Sequence, residues 1–296
     1  MTQERIRGGM NIKTPMLLAI LTFFYISSGL VAAQENNFSI ILFPDTQKEV
    51  KYDPGMWESM PSWVVENREA FNIQAVIGLG DVTDDCTFSE FSEAQKGWNV
   101  IKDAGIIYVP VPGNHDLCGF GSHWNNYFGV DYFSGKKWFG SANENSTTAY
   151  YVKFDVGSKK YLIIALGYDP SNSDLLWAED IIKANEDREV IIATHSFING
   201  WSLTGEGINI WRSLWDNKNI ILVVCGHTTD YSTSSLATTN GLGGNKVYGL
   251  RVDYQDVNYG GGYMTILRFQ NGEILVSNYS AYLNNTDVAS ERTIAV

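Results

Sequence analysis

Residues 75–85, AVIGLGDVTDD, contain the pattern that decides the fold. The apolar run Ala75–Leu79 ends abruptly in a glycine and is followed by polar and acidic side chains. A continuous apolar run of this length, without alternation, is typical of a strand that is buried on both faces. The sequence therefore predicts an inner strand whose carboxyl end carries acidic residues.

The same order, an apolar strand followed by Asp, Asn or His, occurs at five places in the chain. We call the polar segments the first to fifth blocks: PDTQ at 44–47, GDVTDD at 80–85, GNHD at 113–116, ATHS at 193–196 and CGHTT at 225–229. In open α/β sheets, sites form at the carboxyl ends of strands. We therefore expect the five blocks to converge on one edge of the fold.

Stretches of helical length alternate with the early strands and predict parallel βαβ units. The candidate helices lie at about 57–71, 88–103, 174–185 and 206–216. Two hairpins break this order, one turning at Gly-Ser-Lys-Lys 157–160 and one at Gln-Asn-Gly 270–272, and they predict antiparallel strands. The chain should form an α/β fold of two packed mixed sheets with helices outside. No long polar linker divides it, so we predict a single domain over 34–296.

Composition favours a folded, acidic protein. Of the 296 residues 44% are hydrophobic, which is sufficient for a large core. Lys and Arg total 21 and Asp and Glu total 33, a formal net charge of −12, which argues against nucleic acid as a partner because phosphate binding needs a basic face. After residue 35 no apolar run approaches the roughly 18 residues of a membrane-spanning helix, so no membrane partner is expected beyond an export signal.

The first 33 residues read as that export signal. Arg5, Arg7 and Lys13 form a basic start, Met16–Leu30 is the apolar centre, and the small residues 31–33 precede a cleavage point before Gln34. The alternative is an uncleaved membrane anchor, because the apolar run is nearly long enough to span a bilayer. Either alternative predicts that the body is exported, to the extracellular space or a periplasm.

Three cysteines fit an oxidising compartment only if two of them pair. Cys86 and Cys118 each lie just beyond a polar block, so convergence of the blocks would bring their thiols together, and we predict a bridge between them. Cys225, at the end of an apolar run, is expected to be a small buried hydrophobic residue.

The blocks combine carboxylate, amide and imidazole groups, and three of the four histidines of the chain lie within them. A mixed oxygen and nitrogen set suits Zn, Mn or Fe better than Ca, which prefers oxygen ligands alone. Two ions about 3.5–4 Å apart would need a shared carboxylate between them. The sequence predicts one or two divalent metal ions per chain.

The ordered blocks resemble those of the calcineurin-like metallophosphoesterase superfamily, and most closely a secreted branch with D-T-Q in its first block. The resemblance implies a four-layer α/β/β/α sandwich with its metal site at the strand carboxyl ends. It also implies a hydrolase that acts on small phosphorylated substrates, phosphate mono- or diesters, through attack by a metal-activated hydroxide.

Roles for individual residues follow from the same resemblance. Asp81 would bridge two metals, and His115 would lie beside the leaving-group oxygen. Asp116 would hydrogen-bond the ring of His115 and set its tautomer. The implied metal ligands are Asp45 and Gln47 for the first metal, Asp81 for both, and Asn114, His195 and His227 for the second.

Two departures from the family pattern affect the first metal. Gln47 stands where the usual ligand is His, and Thr229 stands where the second His of G-H-x-H is expected. Water or a neighbour would have to substitute, the candidates being Asp84, Asp230 and Gln255. We predict one tight metal and a second that is weak, harder (Mg, Mn or Ca) or absent. The alternative is that Gln47 and Thr229 are tolerated replacements and that the site works normally.

The weakened first site also leaves a second function open, a non-hydrolytic metal-containing binding protein on the same scaffold. The intact Asn114-His115-Asp116 segment argues against that alternative, because a binding protein has no use for an oriented proton donor.

Overall fold

Residues 37–228, 232–242 and 244–296 are described in a computed structural model of the chain. The predicted signal peptide 1–33 and two residues of the fifth-block region, Thr229 and Asp230, lie outside the described residues. Within the described ranges, no helix has both the length and the apolar character needed to cross a membrane.

Strands and helices alternate through the first three quarters of the chain, and strands dominate the last quarter. The α-helices are α1 Gln47–Tyr52, α2 Pro54–Glu66, α3 Arg68–Phe71, α4 Phe88–Asp103, α5 Ser122–Phe128, α6 Asn172–Lys183 and α7 Gly205–Leu214. The strands are β1 Phe38–Phe43, β2 Ile73–Gly78, β3 Ile107–Val109, β4 Phe139–Ala142, β5 Ala149–Val156, β6 Lys159–Leu166, β7 Glu189–Thr194, β8 Ile198–Asn199, β9 Ser202–Leu203, β10 Ile220–Cys225, β11 Ser234–Asn240, β12 Lys246–Val252, β13 Tyr263–Gln270, β14 Glu273–Ser280, β15 Asn285–Thr286 and β16 Arg292–Ala295.

Both large sheets combine parallel and antiparallel pairing, as predicted. The first has the order β15-β14-β13-β1-β2-β3, with β16 also paired to β14, and its parallel part is β1-β2-β3. The second has the order β11-β12-β10-β7-β6-β5-β4, and β12, β10, β7 and β6 are parallel. The five strands that lead into the blocks, β1, β2, β3, β7 and β10, all belong to these parallel parts.

The two sheets pack face to face through aromatic side chains. Phe38 of β1 has its ring centroid 4.9 Å from that of Tyr161 of β6, in the other sheet. On the outer face of the first sheet, Trp57 of α2 and Trp98 of α4 each lie 5.5 Å from the ring of Phe43. Buried apolar residues of α6 and α7 form a second core against the second sheet. The predicted four-layer α/β/β/α sandwich is confirmed.

Helix α4 begins with a capping box that also shapes the second block. Thr87 Oγ1 accepts the N–H of Glu90, and the Glu90 carboxylate accepts the N–H of Thr87 at 3.0 Å. The same carboxylate accepts the backbone N–H groups of Asp84 and Asp85. The start of the helix therefore fixes the loop that follows β2.

Several element boundaries differ from the predicted ones. The first hairpin turns on Gly157 and Ser158 alone, because Lys159 and Lys160 already pair with β5. The predicted helix 57–71 begins earlier, at Pro54, and is interrupted at Asn67. Strand β11, rich in Ser and Thr, was not predicted because it is an edge strand with little apolar content.

The predicted disulfide is confirmed. Cys86 and Cys118, 32 residues apart, are bonded and join the loop after β2 to the loop after β3. Cys225 is free and buried in β10, as expected.

Breaking this bridge should destabilise the fold. Replacing Cys86 and Cys118 by Ser should lower the free energy of unfolding by about 2–4 kcal/mol, because the bridge constrains a long loop of the unfolded chain. Urea denaturation with and without dithiothreitol measures this. A Cys225→Ala control should keep the full sensitivity to dithiothreitol; equal stability of the double variant and the oxidised wild type would contradict the expectation.

Candidate metal centre

The five blocks leave the two sheets at a common edge and bring their side chains together. The first three blocks follow strands of the first sheet, and the fourth and fifth follow β7 and β10 of the second sheet. Asp81, His195 and His227 place one ligand atom each within 4.8 Å of one another. The site thus lies where the two sheets meet.

His195 is at the centre of this group and its tautomer is fixed. Its Nδ1 lies 2.7 Å from the carbonyl oxygen of Leu79, so Nδ1 carries the hydrogen and Nε2 presents a lone pair. Around Nε2 lie Asn114 Oδ1 at 3.0 Å, His227 Nδ1 at 3.0 Å and Asp81 Oδ2 at 3.3 Å. We call these four side chains, Asp81, Asn114, His195 and His227, the His195 cluster.

The His195 cluster is suited to hold a positive charge. Two imidazoles, an amide oxygen and a carboxylate converge on one partly buried space, and lone pairs that face each other there repel unless a proton or a cation lies between them. Burial lowers the pKa of His195, but the charge of Asp81 and its hydrogen bond outweigh this effect and raise the pKa to about 10. The mixed nitrogen and oxygen set fits a divalent cation such as Zn²⁺, Mn²⁺ or Fe²⁺.

Two residues of the His195 cluster adopt unusual backbone conformations. Asp81 has φ +48° and His227 has φ +77°, in the left-handed region that non-glycine residues rarely occupy. Such strain costs about 1–3 kcal/mol per residue and persists where the surrounding structure enforces it. Here the conformations turn both side chains back toward the sheet edge.

Two block glycines allow the sheets to approach. A Cβ on Gly80 would lie 2.2 Å from Nδ1 of His195, and a Cβ on Gly226 would lie 2.0 Å from Oδ2 of Asp45. In each pair the glycine comes from one sheet and the polar side chain from the other. No larger residue fits at either place without displacing a site residue.

Asp45 and Gln47, the predicted ligands of the first metal, are buried at the same edge. Asp45 Oδ1 accepts the N–H of His227 at 3.0 Å, whereas Asp45 Oδ2 has no hydrogen-bond partner among the described residues. Gln47 donates through Nε2 to Gln255 Oε1, and its own buried Oε1 likewise lacks such a partner within the described part of the chain. Two of the residues proposed to replace the missing ligands can be placed. Gln255 contacts Gln47, whereas Asp84 pairs with Lys51.

His115 and Asp116 are placed differently from each other. The His115 side chain is 40% exposed, and its Nδ1 lies 2.7 Å from the carbonyl oxygen of Asp84, which leaves Nε2 for proton exchange. The backbone N–H of His115 donates to Asp81 Oδ1 at 3.0 Å and holds the residue beside the His195 cluster.

The predicted hydrogen bond between Asp116 and the His115 ring is wrong. Asp116 is fully buried, and its carboxylate accepts the backbone N–H groups of Gly113, Val82 and Thr83 and the Thr83 hydroxyl, at 2.8–3.1 Å. Residues 114–116 form a turn of 3₁₀-helix that points Asp116 inward and His115 outward. Burial and the Asp81 charge raise the pKa of Asp116 to about 7. Asp116 fixes the second block to the third rather than orienting the ring.

Sequence reasoning missed a polar group beside the His195 cluster. The ring of Tyr168 lies 5.3 Å from that of His227, and its hydroxyl donates to Glu206 at 3.4 Å. Ser196 donates to the same carboxylate at 3.2 Å. Tyr168 follows the end of β6 by two residues, but the sequence rule covers only Asp, Asn and His after an apolar strand and does not select a tyrosine. Glu206, in the first turn of α7, gives no sequence signal at all.

A model of the calcineurin-like phosphoesterase family matches residues 38–231, and the chain therefore belongs to this family. A protein of Bacillus subtilis (strain 168) described as "Uncharacterized protein YvnB" is 26% identical over 264 residues, which cover 84% of this chain and 20% of the relative. The chain thus spans about a fifth of that relative's length.

Two solved structures share the fold at low identity. A dimetal phosphatase from Danio rerio aligns with a TM-score of 0.58 and 12% identity, over 87% of this chain and 98% of the other. The purple acid phosphatase PPD1 from yellow lupin aligns with a TM-score of 0.56 and 14% identity, over 88% of this chain and 54% of the other.

The close approach at Gly226 can be tested by stability. Gly226→Ala should lower the free energy of unfolding by about 1–3 kcal/mol, because the new methyl group collides with the Asp45 carboxylate. Gly205→Ala is the matched control, since a Cβ there meets no atom within 4 Å. Chemical denaturation of both variants measures the difference; indistinguishable midpoints would refute the proposed collision.

Proposed function

We propose that the protein is an exported metal-dependent phosphoesterase that hydrolyses phosphate mono- or diesters. The observation that carries the proposal is the convergence of Asp81, Asn114 and His227 on Nε2 of His195, within 3.3 Å. Membership of the calcineurin-like phosphoesterase family supports the same reaction class.

The ligands of the His195 cluster are held in place before any cation arrives. The carbonyl of Leu79 orients His195, the N–H of His115 orients Asp81, and Asp45 accepts the N–H of His227. Such supporting contacts preserve metal geometry. A divalent cation in this cluster would lower the pKa of a coordinated water toward about 7 and neutralise charge on the phosphoryl oxygens.

His115 is the proposed proton donor to the leaving group. Its Nδ1–H is bound to Asp84, so the ring is fixed in orientation while Nε2 stays available. Its backbone contact with Asp81 keeps the ring next to the metal ligands. Proton donation by such a group contributes about 10²–10⁴-fold to the rate. A protein that only binds its ligand would gain nothing from a donor oriented in this way.

The two metal positions are proposed to be unequal. The His195 cluster provides two imidazoles, a carboxylate and an amide oxygen, which suit a tightly held Zn, Mn or Fe ion. At the position of Asp45 and Gln47 the nearby Nδ1 of His195, 3.9 Å from Asp45 Oδ1, donates to Leu79 and is not available as a ligand. An ion there would be held by oxygen atoms and would be a harder ion bound with lower affinity.

Export is proposed from the amino-terminal segment 1–33 and is supported by the Cys86–Cys118 bridge. Disulfides persist in extracellular and periplasmic spaces and are rare in reducing ones. The protein would be released if the signal is cleaved after residue 33 and anchored to the membrane if it is not.

Elemental analysis combined with a substrate panel tests the function. Purified protein should retain at least one transition metal after dialysis and should hydrolyse p-nitrophenyl phosphate or its bis ester in a series of Zn, Mn, Fe and Mg. Bound metal without turnover of either ester would favour the binding protein instead.

Variants separate proton donation from metal binding. His115→Ala should lower kcat by about 10²–10⁴-fold with unchanged metal content, because the ring exchanges protons without binding the metal. Asp81→Ala and His227→Ala should lose both metal and activity. His123→Ala, which changes the one histidine outside the blocks, should keep both. Loss of metal from His115→Ala would refute the assigned role.

A further inference from the structure

The end of β12 brings an additional carboxylate to the metal edge. Strands β10 and β12 are parallel, and Cys225 pairs with Arg251. Asp253 and His227 each follow that pair by two residues, so they leave the sheet side by side. Asp253 is 1% exposed although it carries a carboxylate, and such burial needs compensation by a partner.

A chain of hydrogen bonds connects Asp253 to Gln47. Asp253 Oδ1 accepts the backbone N–H of Gln255 at 2.9 Å, and Oδ2 accepts Gln255 Nε2 at 3.2 Å. With its amide nitrogen engaged in this way, Gln255 offers Oε1 to Gln47 Nε2 at 2.5 Å. These hydrogen bonds fix the orientation of the Gln47 amide, so that its nitrogen faces Gln255 and its oxygen faces away from Gln255.

The same region contains buried oxygen atoms that lack hydrogen bonds within the described residues. They are Oδ2 of Asp45 and Oε1 of Gln47, both on side chains that are 3% exposed or less. Asp253 is linked to both by contacts: it leaves the sheet beside His227, whose N–H Asp45 accepts, and it binds Gln255, which in turn binds Gln47. Two buried carboxylates and an amide oxygen without a donor among the described residues thus lie in one region, and such a set of oxygen atoms suits a hard cation.

We propose that Asp253 supplies a ligand of the first metal in place of the imidazoles that the family pattern has there, and that Gln255 positions the Gln47 oxygen toward the same ion. This inference rests on the proposed metal-dependent function. With Asp45 and the shared Asp81, the first site becomes an all-oxygen set.

A first site made only of oxygen ligands favours different ions from the second site. Carboxylate and amide oxygens suit Mg²⁺, Mn²⁺ or Ca²⁺, whereas the imidazoles of His195 and His227 favour Zn²⁺ or Fe²⁺ at the other position. The centre is therefore built for two different metals, with the harder ion bound between Asp45, Gln47 and Asp253.

Titration with Mn²⁺, followed by electron paramagnetic resonance, tests the assignment on the zinc-loaded full chain. The wild type should bind one Mn²⁺ besides the tightly held ion. Asp253→Asn should weaken Mn²⁺ binding by at least about tenfold and leave the tight ion in place, and Gln255→Leu should weaken it by about tenfold. Asp174→Asn, a buried carboxylate in the cap of α6, is the matched control and should bind Mn²⁺ like the wild type.

Wild-type Mn²⁺ affinity in Asp253→Asn would overturn the proposal, as would a wild type that binds no second ion. If Asp253→Asn does not fold, Gln255→Leu provides the test, because it keeps the Asp253 carboxylate and removes only the hydrogen bonds of the Gln255 side chain to Asp253 and Gln47. Unchanged Mn²⁺ affinity in that variant would overturn the proposal. Ester hydrolysis is measured separately, so absent turnover with normal Mn²⁺ binding would refute the proposed function alone.

Discussion

The convergence of three side chains, those of Asp81, Asn114 and His227, on Nε2 of His195 constrains the rest of the structure. Asp81 and Asn114 come from the first sheet, and His195 and His227 come from the second. Bringing the other three within 3.3 Å of His195 Nε2 requires the carboxyl ends of strands from both sheets to lie at the same edge of the sandwich. The same approach that brings the two sheets together thus creates a group of side chains suited to a cation, so the fold and the proposed metal site are linked.

Contacts that take no part in the chemistry keep this geometry rigid. Asp116 ties the second and third blocks together through three hydrogen bonds, and the Cys86–Cys118 bridge joins the same two loops covalently. Between the sheets, Gly80 and Gly226 leave room for polar side chains of the opposite sheet. The site is therefore preorganised by backbone and disulfide contacts, which also explains why the exposed His115 ring has a fixed position.

The two halves of the centre differ in chemistry because they depend on different elements. The half around His195 contains the imidazoles of His195 and His227, which follow the ends of β7 and β10, where the family pattern also has histidines. The half around Asp45 has Gln47 in place of an imidazole and lies next to the end of β12, from which Asp253 and Gln255 extend. A residue distant in sequence can thus change the metal preference of one half while the other stays as it is in the family.

By itself, the sequence determined the layered α/β architecture, the parallel strands that lead into the blocks, and the Cys86–Cys118 pair, because continuous apolar runs and their polar ends are local patterns. It also singled out the side chains of the His195 cluster. Only the tertiary structure decided the partner of Asp116, the position of Tyr168 and the link from Asp253 through Gln255 to Gln47. Those contacts depend on which way a short turn faces and on strand register across more than 200 residues, and neither is encoded in local spacing.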